Sequence, residues 1–325
     1  MPHKDSGKAG DTKTRLPPLY KKRIWQAILL YLLLMGAAGY WIHKNTDKTV
    51  HDWNARTPQA IVALTGAGLI PEAETPPETV STTQGTGLVL PSGTTADIAI
   101  ILTDAGLSES ATQKAMQTLP KDVAMAFSPY SMRLAPWIDQ AKTAGRETLL
   151  LLPMEPLTYP KDDPGPQALL SRKSETSNIE TLQSLLALGK TDGVMNFMGS
   201  RFLGDRRNMV PALAKIRQSG LMFVENPSMS GLQSAATFAQ ETNVPYLSAD
   251  VHIDAQATPA LIRQQLFQLE KIAQEKGYAI GIASPYPVTL DIIPQWADSL
   301  KSRGFKLAPP STLVDKQASQ KPKAP

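Results

Sequence analysis

The sequence predicts an α/β chain built as a (β/α) barrel, preceded by one transmembrane helix and a flexible linker. Three observations carry that expectation. From Asp97 onward, apolar runs of strand length alternate with amphipathic segments of helix length, the pattern that folds into a parallel sheet covered by helices. Seven or eight such units fit within residues 97–313, and no G-x-G-x-x-G follows the first run, which suits a closed barrel better than a pair of dinucleotide-binding halves. Ahead of them, Ile24 to Ile42 carries no charge and is close to the length that crosses a bilayer.

Residues 1–23 are a basic tail. Seven Lys and Arg against Asp5 and Asp11 give it about +5, more than the whole chain's net charge of +4, leaving the remainder near neutral. The positive charge is therefore a local feature beside an apolar run, and no basic surface for nucleic acid is implied. Lys21, Lys22 and Arg23 before the run, with Trp25, Tyr40 and Trp41 at its ends, set residues 24–42 as an anchor with the N-terminus in the cytoplasm and the bulk of the protein across a bacterial inner membrane, in the periplasm. A cleavable signal peptide is the rival reading, but the run exceeds the usual apolar core and no clean A-x-A site follows it. Residues 43–96 gather Pro, Thr and Gly and read as a solvated linker, with one apolar patch at Ala60 to Ile70. The absence of Cys removes disulfides and thiolate metal ligands.

The domain proper is residues 97–313. Its first strand is Ile98 to Leu102, five apolar residues that read as buried on both faces, opening into Thr103, Asp104, Ala105 and Gly106. Ser108 caps the helix that follows, burying Ala111, Ala115 and Leu119. Further strands are expected at Val123 to Phe127, Leu149 to Leu152, Gly193 to Met198, Leu221 to Val224, Pro245 to Leu247, Tyr278 to Ile282 and Phe305 to Leu307. Between them, Ile179, Leu182, Leu185 and Leu186 form one helix face, and Gly145, Gly220, Gly277 and Gly304 stand where helices stop. Residues 314–325, with three Lys and two Pro, read as a disordered tail.

Polar residues collect where these strands end: Glu155 after the third; Asn196, Ser200 and Arg201 around the end of the fourth; Glu225 closing the fifth. Asp250, His252 and Asp254 follow the sixth, and Ser284 and Tyr286 the seventh. In parallel α/β folds ligands bind at the carboxyl ends of the strands, so these segments with Asp104 define a candidate cleft.

The phrases Leu152-Pro153-Met154-Glu155-Pro156, continuing to Tyr159-Pro160 and Asp163-Pro164-Gly165-Pro166, then Met198-Gly199-Ser200-Arg201-Phe202, then Pro285-Tyr286-Pro287 with Thr289-Leu290, resemble the signatures of the divergent polysaccharide deacetylases. The resemblance spans nearly all of residues 97–313. It implies a distorted (β/α) barrel and a superfamily chemistry in which metal-bound water removes an acetyl group from an amino sugar. It also implies paired carboxylates after the first strand and two imidazole ligands, and here the chain departs from the pattern. Thr103 stands where the first carboxylate belongs, Phe197 and Ser284 where the two His belong, and Leu151 where a further His often stands; only Asp104 matches.

Of the four His, only His252 lies in the domain, and one imidazole without thiolates does not make the two-imidazole zinc site. Thr103 stays protonated near neutral pH and cannot act as the base. No cofactor is expected. Asp250, His252 and Asp254 share a face if the segment is extended and read first as a structural network, with Arg133, Arg201, Arg206 and Arg207 as candidate partners; the remaining route to a divalent metal such as zinc is these three together with Asp104. Asp104 reads either as a rim cap or as a ligand contact, Phe197 as core or as a sugar-stacking ring, and Glu155 as a structural hydrogen-bond partner. The expectation is a deacetylase-like envelope protein without metal-dependent deacetylase activity, binding a cell-envelope glycan or protein through its mouth. The alternatives are an active amino-sugar deacetylase with other ligands or none, and an inert scaffold for an envelope complex.

Overall fold

The computed structural model describes residues 87–227 and 234–319. The basic tail, the expected anchor at 24–42 and the linker up to residue 86 lie outside the described residues, among which no helix is long and apolar enough to cross a membrane.

Nine strands form one sheet: β1 (Ala96–Ala105), β2 (Ala124–Phe127), β3 (Thr148–Met154), β4 (Gly193–Met198), β5 (Met222–Glu225), β6 (Tyr246–Ser248), β7 (Val251–His252), β8 (Tyr278–Ala283) and β9 (Phe305–Leu307). Their order is β6-β5-β4-β3-β2-β1-β8-β7, with β9 added against β1, and every pairing is parallel. The helices are α1 (Glu109–Thr118), α2 (Leu134–Thr143), α3 (Glu175–Leu186), α4 (Arg206–Gln218), α5 (Ala236–Thr242), α6 (Pro259–Lys276), α7 (Pro287–Leu300) and α8 (Val314–Ser319).

The sheet is curled. Its two end strands, β6 and β7, are consecutive in the chain: Ala249 donates its N–H to Glu225 on one side, and the next residue, Asp250, donates to Ile280 on the other. One segment, Tyr246 to His252, therefore reaches both ends of the strand order without β6 and β7 pairing with each other, so the expected barrel is present as a curled, parallel half-barrel. The sequence reading had one strand here, Pro245 to Leu247, and missed the second short pairing.

Strand alternation divides the apolar residues into two cores. Ile98, Ile100 and Leu102 face the helices with Leu150, Leu152, Phe223 and Leu269. Ala99 and Ile101 face the inside of the curl with Leu149, Leu151, Met195, Val224 and Ile282. These side chains are almost fully buried, and each Leu, Ile, Val, Met and Phe among them is worth about 1.5–3 kcal/mol of transfer free energy. Helix boundaries follow the sequence signals. The Ser108 side chain accepts from Ala111 N–H and that of Ser174 from Ser177 N–H, Pro259 and Pro287 open α6 and α7, and Gly277 ends α6 in the left-handed conformation.

Both margins of the domain need correction. The linker ends before residue 88: Leu90 is buried, Leu88 N–H donates to Glu270 Oε2 at 2.9 Å, and Arg303 donates to Leu88 O while pairing with Glu270. A buried carboxylate fixes this stretch, a partner that local composition cannot reveal. At the other end, residues 314–319 form α8 instead of a disordered tail. Lys316 pairs with Asp97 at 2.6 Å, and Gln317 accepts from Ser248 N–H.

Candidate functional site

The mouth of the curl is organised by an irregularity in β1. Leu102 pairs with Met125 and Ala105 with Phe127, so β1 advances three residues where β2 advances two. The extra residue is a bulge, a device that re-aims a side chain at a strand end. Asp104 sits in it with φ 56°, a left-handed conformation that Asp tolerates better than most residues. The bulge turns the carboxylate into a cavity of about 110 Å³ bounded by Leu107, Tyr130, Leu151, Pro153 and Phe197. Thr103 donates its hydroxyl proton to Asp104 Oδ2 at 3.1 Å. Burial pushes the Asp104 carboxyl above the usual carboxylate range; the Thr103 bond and His252 pull the other way, and Asp254 adds to the rise.

Those two electrostatic neighbours come from β7, which ends in His252, and from the turn after it, which carries Asp254. Asp254 is held by Ser284 N–H and by the Thr289 hydroxyl, both on Oδ2 at 2.8 Å, while its Oδ1 lies 3.3 Å from His252 Nε2. Oδ1 and Nε2 are both buried and neither makes a hydrogen bond of good geometry. The arrangement does not fit the zinc site of the deacetylase superfamily. Phe197 and Leu151 present carbon to Asp104 at positions assigned to imidazoles by resemblance, the domain has one His, and among the described residues no three His, Cys, Asp or Glu side chains lie close enough to hold a metal ion. Asp104 supplies a carboxyl group beside an apolar wall, and His252 with Asp254 supplies a polar pair whose facing atoms are buried.

Asp250 sits in a structural network of its own, apart from His252 and Asp254. The alternation that would align it with His252 and Asp254 breaks where the segment passes from β5 to β8. Its carboxylate instead binds Lys276 at 2.9 Å and Ile280 N–H at 2.9 Å, away from Asp104, so the four-residue metal set is not assembled.

Several other cleft candidates are committed to the rim's own structure. Glu155 accepts Ser171 N–H at 2.6 Å, has Arg201 Nε at 3.3 Å, and offers its carbonyl to the N–H groups of Arg201 and Phe202. Asn196 accepts Asn226 N–H at 2.7 Å and donates to Met198 O; Ser200 Oγ accepts Leu157 N–H at 2.9 Å. Glu225 Oε2 takes Ala235 N–H, the Ser234 hydroxyl and the Tyr246 phenol, whose pKa burial pushes up. These bonds satisfy buried loop groups that would otherwise be costly. Tyr286 is exposed at the start of α7. Sequence reasoning missed Tyr130, which covers Asp104 and donates to Pro164 O at 3.0 Å; its one signal was Pro129-Tyr130 directly after the second apolar run.

A family model described as divergent polysaccharide deacetylase matches residues 100–314. An uncharacterised protein of Haemophilus influenzae is 25% identical over 60% of this chain and 69% of its own length, and the uncharacterised protein YibQ of Escherichia coli is 25% identical over 67% of this chain and 65% of its own length. The crystal structure of an uncharacterised protein from Agrobacterium tumefaciens C58 superposes with a TM-score of 0.65 at 33% identity, covering 70% of this chain and 92% of that one.

Proposed function

The chain belongs to the divergent polysaccharide deacetylase family, and from that premise we propose that it is a deacetylase-like protein of the cell envelope whose mouth binds a ligand in place of metal-dependent hydrolysis. The observation that carries this reading is the wall opposite Asp104, where Leu151 and Phe197 stand at family imidazole positions. Thr103, bonded to Asp104, has no carboxylate with which to activate water. The ligand class is a glycan or an envelope protein. Anchoring through residues 24–42, with the domain in the periplasm, is supported by the charge-free run and the basic residues before it. The test is release of acetate from N-acetylated glycan oligomers by the full chain, with and without added zinc, beside binding of peptidoglycan fragments. Turnover that depends on Asp104 would overturn the reading.

One observation favours a second reading, an active amino-sugar deacetylase using other ligands or none: His252 and Asp254 form a buried pair within electrostatic reach of Asp104. It requires acetate release that is lost on His252→Ala.

A further inference from the structure

Seven large apolar side chains are exposed among the described residues, and five of them, Leu107, Tyr130, Met132, Leu157 and Tyr286, stand on loops at the mouth. Those loops follow β1, β2, β3 and β8, which are neighbours in the sheet in the order β3-β2-β1-β8. The side chains therefore stand on neighbouring loops along one rim of the sheet, an apolar arc in the order of the strands. Met132 is wholly exposed and Leu107 and Leu157 are each 57% exposed. Exposed apolar side chains gathered on one rim point to an interaction site, whereas the same residues scattered over the whole surface would need no explanation.

The arc is preorganised. Tyr130 donates to Pro164 O, joining the loop after β2 to the one after β3, and Lys114 pairs with Asp291 at 2.7 Å, joining α1 to α7. Beneath it, between Leu107 and Tyr130, opens the cavity of about 110 Å³ floored by Leu151 and Phe197. That volume suits one aliphatic or aromatic side chain. A pyranose would have to bury hydroxyls against walls that are mostly carbon, at a cost for each one left without a partner.

At the β3 end the arc meets positive charge. Arg201 is offset by Glu155, and Arg206 by Glu241. Arg172 is held by the Tyr159 hydroxyl at 2.9 Å and Arg207 by Ser171 O at 2.7 Å, and among the described residues neither pairs with a carboxylate. Tyr, Met and Arg together are the composition of protein interfaces, and two positioned, uncompensated guanidinium groups fit carboxylates.

We propose that this arc is the docking face for a protein partner, a segment that presents one apolar anchor to the cavity beside Asp104 and acidic residues to Arg172 and Arg207. The proposal rests on the reading of the mouth as a binding cleft and names its partner class.

The experiment is selection of a random-peptide library on the full chain in detergent micelles, followed by affinity measurement of the enriched peptides by fluorescence anisotropy. The expected result is enrichment of an apolar anchor flanked by Asp or Glu, with affinity falling about tenfold or more in Met132→Ser/Leu157→Ser and again in Arg172→Gln/Arg207→Gln. All four side chains lie at the surface, so unchanged melting temperatures report an intact fold. No enrichment, enrichment of basic peptides, or equal binding to the variants would overturn the proposal. Peptidoglycan fragments form the second arm. If they bind and the same variants abolish it, the arc is a glycan site: this proposal falls and the binding-cleft reading stands. If neither peptides nor fragments bind, both fall.

Discussion

Asp104 is constrained from three directions: the bulge fixes its backbone in the left-handed region, Thr103 donates to its carboxylate, and burial disfavours its charge. A left-handed backbone and desolvation fall together on this one residue at a strand end. A carboxyl whose folded pKa lies above its unfolded value destabilises the fold when ionised; the penalty is full above the folded value, shrinks as pH falls below it and is gone below the unfolded value. Asp104→Asn keeps the shape and tolerates the same backbone conformation. It should therefore raise the melting temperature at neutral pH, with the gain vanishing in acid; an equal effect at both pH values would show that the carboxylate's charge is not the cause. This residue was legible from sequence because an apolar run announces its strand and the carboxylate follows the last apolar position. Asp250 was not, because its partner Lys276 lies 26 residues further on at the end of α6, and alternation alone carries no information about a long-range ion pair.

The elements that shape the mouth depend on close packing inside the curl. Gly193 opens β4 between β3 and β5, where an added Cβ would lie 2.7 Å from Leu149 Cδ2, 2.5 Å from Met222 Cγ and 2.9 Å from Met222 O. Gly193→Ala should cost about 1–3 kcal/mol in denaturant unfolding, because the backbone oxygen cannot move aside as a side chain could. Glu270 accepts from Leu88 N–H and Trp296 Nε1 while pairing with Arg303, and so ties α6, α7 and the segment leading into β1 together. Glu270→Ala leaves a buried guanidinium unpaired and should cost about 3–5 kcal/mol, read from the same unfolding curves; a loss below 1 kcal/mol would mean that water replaces the carboxylate. The strands from β1 to β5 were legible because each is an apolar run bounded by turn residues. The step from β6 to β7 was not, since its two halves are too short for periodicity to register and are defined only by which neighbour each one pairs with.

On the scale of the whole molecule, a family barrel has its mouth walled with carbon where the resemblance assigns imidazoles, and an apolar arc stands above that wall. The motif phrases identified the family, and the missing ligands could be read directly as Thr103, Leu151, Phe197 and Ser284. The arc could not be read, because exposure is a property of the folded surface and a Met or Leu in a loop sequence has no pattern to betray it. We propose that this mouth does not hold the catalytic metal of its superfamily. The most direct test is elemental analysis of the full chain, purified without a metal-affinity tag, exposed to zinc and dialysed. The account predicts no stoichiometric zinc, and the same background for the wild type, Asp104→Ala and His252→Ala. Stoichiometric zinc that is lost in either variant would contradict it and would make Asp104 or His252 a ligand in a rebuilt site.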